Sequence, residues 1–402
     1  MQLGERLRVS FGIAIWLTLV WPSYACLTFM QATDHTVLVG NNEDSNYFTT
    51  KMWTEPAAED LYGCLFFGYE IDGRLLLQGG INEAGLVYDG LATDPLEVKN
   101  SRHKKRYEGN LLEKAMRECA TVGEVLVLFD QYNLEEFDRA QFIFVDRSGA
   151  SAIIEGDAIH RKAGAFQVAA NFCLSQIEPG ADYLSERYTI AQSMLAGSDG
   201  SVDSFTKILA ATHQEGEWGQ TQYSNIYDLT TGRVYLYHFH NFAAPVVLNL
   251  SEELQKEKYV TDIPSLFPPN HAFHMFQKKM RENKLSYLLE KIIDEQGLTA
   301  ALQKYKEIKS NPKTVYCCDI DESGLNRLGY RYLSEDRADI ASAIFKINVE
   351  IFPQHWNGYD SLGDAYRIAG DYERARQNYA KSLQLNPQNE NARLQLRKFA
   401  RQ

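Results

Sequence analysis

Short apolar runs separated by polar turns fill the chain from Cys26 to about Asn249, and helical spacing replaces them beyond Pro269. Val37-Leu38-Val39-Gly40 is an apolar run that ends in a polar turn. Leu65 to Leu91 is strand-rich, with turns at Asp72-Gly73 and Asn82 to Gly85. Gly109 to Tyr132 reads as one helix, because Leu111, Leu112, Ala115, Met116 and Cys119 fall at helical spacing. Gln141 to Val145 and Ala152 to Ile154 flank Arg147-Ser148-Gly149 and predict a hairpin. Tyr223 to Tyr237 predicts a second one around Thr231-Gly232. Phe166 to Asn171 predicts a strand, and Tyr183 to Leu195 and Val202 to Ala211 predict helices. Strand pairs, then helices, then strand pairs imply two packed sheets with helices outside.

After Phe267-Pro268-Pro269 no strand signal remains. Leu325, Leu328, Gly329, Tyr332, Ala341, Phe345 and Pro353 recur 34 residues on as Tyr359, Leu362, Gly363, Tyr366, Ala375, Tyr379 and Pro387. This period and residue set match the tetratricopeptide repeat. Small residues let paired helices approach, aromatics fill the groove between neighbours, and Pro ends each second helix. Two repeats are too few to stand alone. Tyr287 to Ile308, with Leu288, Leu289, Ile292, Ile293, Leu298, Leu302 and Tyr305, therefore predicts a divergent helical pair capping the array. The tail is either a stabilising appendage or a surface for a protein partner or self-association.

The N-terminus changes the picture. Arg6 and Arg8 precede an apolar run from Phe11 to Trp21, Pro22 breaks it, and Ser23-Tyr24-Ala25 offers small residues at the positions a signal peptidase reads. This predicts a cleaved leader over residues 1–25, and hence a periplasmic or secreted protein. The run is about half the roughly twenty residues a spanning helix needs, so no membrane span is expected. Cys26 would become the first residue of the mature chain. Two other readings stand beside this: a lipid-modified cysteine, against which Ser23 speaks because such signals usually carry Leu there, and an ordinary cysteine.

The length of 402 residues suggests two domains: 26–262 for the sandwich and 275–402 for the helical repeats. A net charge of −12 argues against nucleic acid as a partner. Cys64, Cys119, Cys173, Cys317 and Cys318 could pair in an exported chain, but buried small apolar side chains are the default. No zinc-type Cys/His spacing occurs, so neither metal nor cofactor is expected.

An N-terminal cysteine carries a nucleophile and a base together, because the α-amine and the thiol have similar pKa values. To cut an amide it needs a carboxylate to hold the ammonium and fixed donors for the oxyanion. Gly40-Asn41-Asn42-Glu43-Asp44 follows a strand that would pair with the one beginning at Cys26. Asn171 closes a strand, and Arg187 opens a helix in Ser185-Glu186-Arg187-Tyr188. Tyr47, Phe48, Phe66, Phe67 and Tyr69 could line an acyl pocket or belong to the core.

Cys26 with Thr28, Gly40 to Asp44, Gly80-Ile81-Asn82-Glu83-Ala84-Gly85-Leu86, Asn171 and Ser185 to Tyr188 come in an order that resembles the N-terminal-nucleophile hydrolases of linear amides: choloylglycine hydrolases, penicillin V acylases, the isopenicillin N acyltransferase group and acid ceramidase. The resemblance covers roughly Cys26 to Phe242. It implies an α+β fold, a four-layer αββα sandwich followed here by the all-α tetratricopeptide domain. It implies Cys26 as nucleophile, Asp44 holding its amine, Asn171 as oxyanion donor, the Ala92 backbone N–H as second donor, and Arg187 supporting the nucleophile by charge. Asn41, Phe66 and Tyr69 are the substrate-binding candidates. The family usually carries Arg where this chain has Asn41, and Phe172 replaces a His common among the acyltransferases. The implied activity is cysteine amidohydrolysis of a nonpeptide N-acyl amide through a thioester, with no cofactor. A related acyltransferase and an inactive scaffold are the alternatives.

Overall fold

The computed structural model describes residues 26–71, 73–177, 185–216, 219–310, 320 and 322–399. The predicted leader, Asp72, Tyr183, Cys317 and Cys318 lie outside the described residues. The chain divides into two compact units between Asn270 and His271.

The first unit holds fourteen described strands: β1 Leu27–Ala32, β2 Val37–Ser45, β3 Thr50–Glu55, β4 Cys64–Ile71, β5 Arg74–Asn82, β6 Val87–Ala92, β7 Ala140–Val145, β8 Ser151–Glu155, β9 Ala158–Arg161, β10 Phe166–Ala170, β11 Gln220–Asp228, β12 Arg233–His238, β13 Asn241–Asn249 and β14 Val260–Asp262. They form a six-stranded sheet, β10-β1-β2-β11-β12-β13, and an eight-stranded sheet, β14-β3-β4-β5-β6-β7-β8-β9. Neighbouring strands pair antiparallel throughout, for example Phe29 with Gly40 and Phe144 with Ala152.

Alternation along the strands builds the layers. Met30, Val39, Leu65, Phe67, Ile81, Val87, Ile143 and Tyr223 point inward and fill the space between the sheets. The opposite face of the larger sheet, with Trp53, Phe66, Tyr88 and Phe144, packs on α1 (Leu111–Glu118) and α2 (Val122–Phe129). The opposite face of the smaller sheet, with Leu27, Phe29, Leu38 and Ile226, packs on α3 (Glu186–Ala196) and α4 (Val202–Thr212). Each fully buried Leu, Ile or Phe contributes about 1.5–3 kcal/mol. The expected order, helices, sheet, sheet, helices, is the order formed.

One expected helix is two. The segment from Gly109 to Tyr132 breaks at Cys119 to Thr121, because Thr121 and Glu124 make a capping box that starts α2 afresh. The short strand β14, an edge of the larger sheet, gave no signal in the sequence, and β13, largely exposed at an edge of the smaller sheet, was not resolved there as an element. Cys26, Cys64, Cys119 and Cys173 are free and buried.

The second unit is helical: α6 His271–Glu282, α7 Leu285–Gln296, α8 Leu298–Ser310, α9 Glu322–Ser334, α10 Ala338–Ile351, α11 Trp356–Ile368, α12 Tyr372–Leu385 and α13 Glu390–Phe399, with α5 (Leu250–Leu254) belonging to the first unit. The repeat glycines sit where helices touch. A Cβ on Gly363 would lie 2.8 Å from the Tyr379 ring, and one on Gly329 would collide with Phe345, the equivalent contact one repeat earlier. The pair α7 and α8 shares the core of these repeats, as its apolar spacing predicted.

Candidate active site

Strand register alone gathers the sequence candidates. β1 lies between β10 and β2, with Leu27 opposite Ala170 on one side and Asn42 on the other. One step back along these antiparallel ladders sets Cys26 opposite Asn171 and Glu43. Asp44 follows on β2 and pairs with Thr221 of β11. The thiol meets the main chain of Asp44, where the Asp44 N–H donates to Cys26 Sγ at 3.5 Å and Sγ lies 3.7 Å from the Asp44 carbonyl, and it also bonds the Glu43 side chain.

The side chains divide between the two faces of β2. Asp44 has the parity of Leu38 and Asn42, and Asn42 donates to Leu209 and Thr212 of α4. On this face Arg187, in the first turn of α3, places Nη2 2.7 Å from Asp44 Oδ2, and Thr221 Oγ1 donates to Oδ1. Arg187 is itself held by the Thr212 carbonyl and by Gln214 Oε1 at 3.2 Å. The structure thus joins Arg187 and Asp44, two residues that sequence could only place in order.

The other face carries two acids to which the sequence reading assigned no role, Glu43 and Asp89, beside the substrate-binding candidates Asn41 and Tyr69. Glu43 is 2 % exposed, and Tyr69 donates to its Oε1 at 3.0 Å. Asn41 is equally buried; its Oδ1 accepts from Thr28 at 3.3 Å and its side chain also bonds Glu43. Asp89, on β6, is fully buried opposite Gly79, where a Cβ would come within 2.9 Å of Asp89 Oδ2. Glycine at that position leaves space for the carboxyl. Asn41 therefore braces the carboxyl cluster, and Tyr69 caps it.

This packing sets the electrostatics. Burial pushes Glu43 up to about 8, with the Asp44 charge adding to the rise against the Tyr69 bond. Burial and the nearby Glu43 hold Asp89 well above the carboxylate range. Burial also raises Asp44 to about 6, opposed by Arg187 and Thr221. The Cys26 thiol is pushed well above its ordinary value by burial and by Glu43 and Asp44. With the chain continuing before it, Cys26 is a neutral thiol.

Asn171 donates from Nδ2 to the Ala92 carbonyl at 2.8 Å, across the ends of β10 and β6, a contact with the Ala92 C=O and not with the backbone N–H expected as a donor. Ala92 is exposed there. Phe66 is a correction. It shares a face with Cys64, stacks near Trp53 with ring centroids 5.8 Å apart, and packs on the α1 and α2 layer, away from Cys26. Leu65 and Phe67 take the inward face instead, and a register shift between Phe67 and Gly68 accompanies the course of β4 towards Tyr69.

No protein-family model matches this sequence, and no curated protein matches it. Among solved structures, the chain is similar to a variant of the conjugated bile acid hydrolase from Clostridium perfringens, at 15 % identity over 61 % of this chain and 99 % of that one, with a TM-score of 0.48. It is similar to penicillin V acylase from Agrobacterium tumefaciens at 17 % identity over 58 % of this chain and 90 % of that one, with a TM-score of 0.43. The first TPR of Spaghetti, bound to an HSP90 peptide, is similar over 31 % of this chain and 92 % of its own, at 18 % identity and a TM-score of 0.21.

Proposed function

We propose that the protein is an exported cysteine amidohydrolase that cleaves a nonpeptide N-acyl amide through a thioester on Cys26. The observation that carries this reading is the juxtaposition of Cys26, Asn171 and Asp44 on adjacent strand ends, with Asp44 fixed by Arg187 and Thr221. Removal of residues 1–25 would place a primary amine beside the thiol. The neutral amine takes the thiol proton as attack begins, and the ammonium so formed offsets the acidic groups around the thiolate. Asp44 holds the resulting ammonium. The thiolate carbon–sulfur bond forms as the carbonyl becomes an oxyanion, which accepts from Asn171. Collapse expels the amine with the proton from the ammonium, and water then releases the acid.

Loss of the leader and location in the periplasm or medium belong to the same proposal. So does the use of the repeat unit as a surface for a protein partner. The test is a panel of N-acyl amides and reactive acyl probes given to the secreted chain, followed by N-terminal sequencing and peptide mapping. Acylation of Cys26, together with release of acid, supports the reading. A secreted form that begins elsewhere than Cys26, or turnover that survives Cys26→Ser, defeats it. Adding a competing amine distinguishes transfer from hydrolysis in the same assay.

A further inference from the structure

Behind Asp44, away from Cys26, lies a second cluster. Among the described residues, His213, Glu215 and His240 are the set whose donor atoms converge, all within 4.8 Å of one another. His213 follows the end of α4, Glu215 stands in the loop before β11, and His240 occupies the turn between β12 and β13. We propose that these three side chains form a zinc site that fixes the loop holding Arg187.

Three observations lead there. First, His213 Nδ1 lies 2.6 Å from the Ala210 carbonyl, which can only accept, so Nδ1 carries the proton. Its Nε2 then faces Glu215 Oε1 at 2.9 Å, so the ring nitrogen that is free of the Ala210 bond and the carboxylate are aimed at one point. Second, His240 Nδ1 approaches the same oxygen at 3.4 Å. For a metal about 2.0–2.1 Å from each atom, these separations give angles of about 90° and about 110°. The histidine donor atoms, within 4.8 Å of each other, need to close to roughly 3.3 Å for a tetrahedron. Third, Phe239 and His240 have φ of 44° and 63°, a backbone that glycine or asparagine adopts more readily than an aromatic or His. Two imidazoles and a carboxylate suit zinc, with a further position left towards solvent, where Glu215 is exposed.

The site sits in the chain that positions Arg187. Thr212 and Gln214, the neighbours of His213, bond Arg187, and the Gln214 N–H donates to Thr221 Oγ1, which in turn donates to Asp44. A metal at His213 would therefore stiffen this loop whatever reaction the protein performs.

The experiment uses the secreted chain with Cys26→Ser, so that its thiol does not compete, freed of metal with a chelator and titrated with Zn2+ alone against a chromophoric competitor. The expected result is roughly one Zn2+ per chain, with affinity reduced at least about tenfold by His240→Asn and by His213→Gln. His240→Asn keeps a residue suited to the turn, and circular dichroism confirms its fold. Co2+ should give the visible absorption of a four-coordinate nitrogen and oxygen site. Uptake well below one equivalent, or affinity unchanged in both variants, overturns the proposal.

Discussion

Replacing Arg187 with Gln removes the cation 2.7 Å from a carboxyl that is 1 % exposed. Asp44 already sits at about 6 against an ordinary 3.8, because burial outweighs Arg187 and Thr221. A shift of that size corresponds to about 3 kcal/mol. The folded chain holds this proton more tightly than the unfolded chain. Its contribution to stability is therefore complete below about pH 4 and is lost as pH rises through about 6. Without Arg187 the folded value moves further up and the loss deepens. A buried carboxylate left without its partner costs about 3–5 kcal/mol. Arg187→Gln should cost that much near pH 8. Near pH 4 Asp44 is neutral in both chains, and what is missing is hydrogen bonding, including the bonds to Thr212 and Gln214, about 1–3 kcal/mol. Urea unfolding of both chains across this range gives the difference directly. Adding Asp44→Asn removes the titration, so the remaining penalty should be flat with pH. A penalty for Arg187→Gln alone that is equal at the two ends of the range refutes the argument.

Cys26→Ser should fold with an unchanged unfolding midpoint yet lose most turnover, as measured by denaturation and product release. The Cys26 thiol should alkylate with iodoacetamide much more slowly in a chain that keeps its leader than in the processed chain, as followed by mass spectrometry; equal rates would mean that the new amine does not activate it. Phe66→Ala should cost about 3–5 kcal/mol of stability while leaving KM unchanged, because the ring belongs to the outer core. Gly363→Val should lower the thermal midpoint of the helical unit by forcing Tyr379 aside, an overpacking cost of about 1–3 kcal/mol read by calorimetry.

The alternation of apolar and polar residues made most of the sandwich legible, and the 34-residue recurrence made the repeats legible, because both are local signals. What the sequence withheld depends on pairing. Arg187 and Asp44 lie on different elements, and only the docking of α3 against β2 brings them together. Two signals could have revealed the buried acids. Glu43 continues the inward series of Val37, Val39 and Asn41, and Asp89 lies between inward Val87 and Leu91. An acid at such a position in a central strand faces the core and needs a chemical reason. Phe66 was misassigned because residues 66 and 69 differ by three, and an uninterrupted strand cannot aim both at one site. The break at Thr121 was readable, since Thr121 and Glu124 have capping-box spacing, but the apolar stripe running through it dominated.

The placement of Cys26 also constrains the order of events in the life of the chain. The residue is 5 % exposed at the start of an interior strand with neighbours bonded on both sides. A peptidase must draw several residues around its target bond into an extended groove, which this ladder forbids once it has closed. If the proposed leader is removed before Cys26, that cut therefore has to precede completion of the sheet. On that proposal, a molecule that folded before the cut would be a dead end, sound in shape but permanently unarmed.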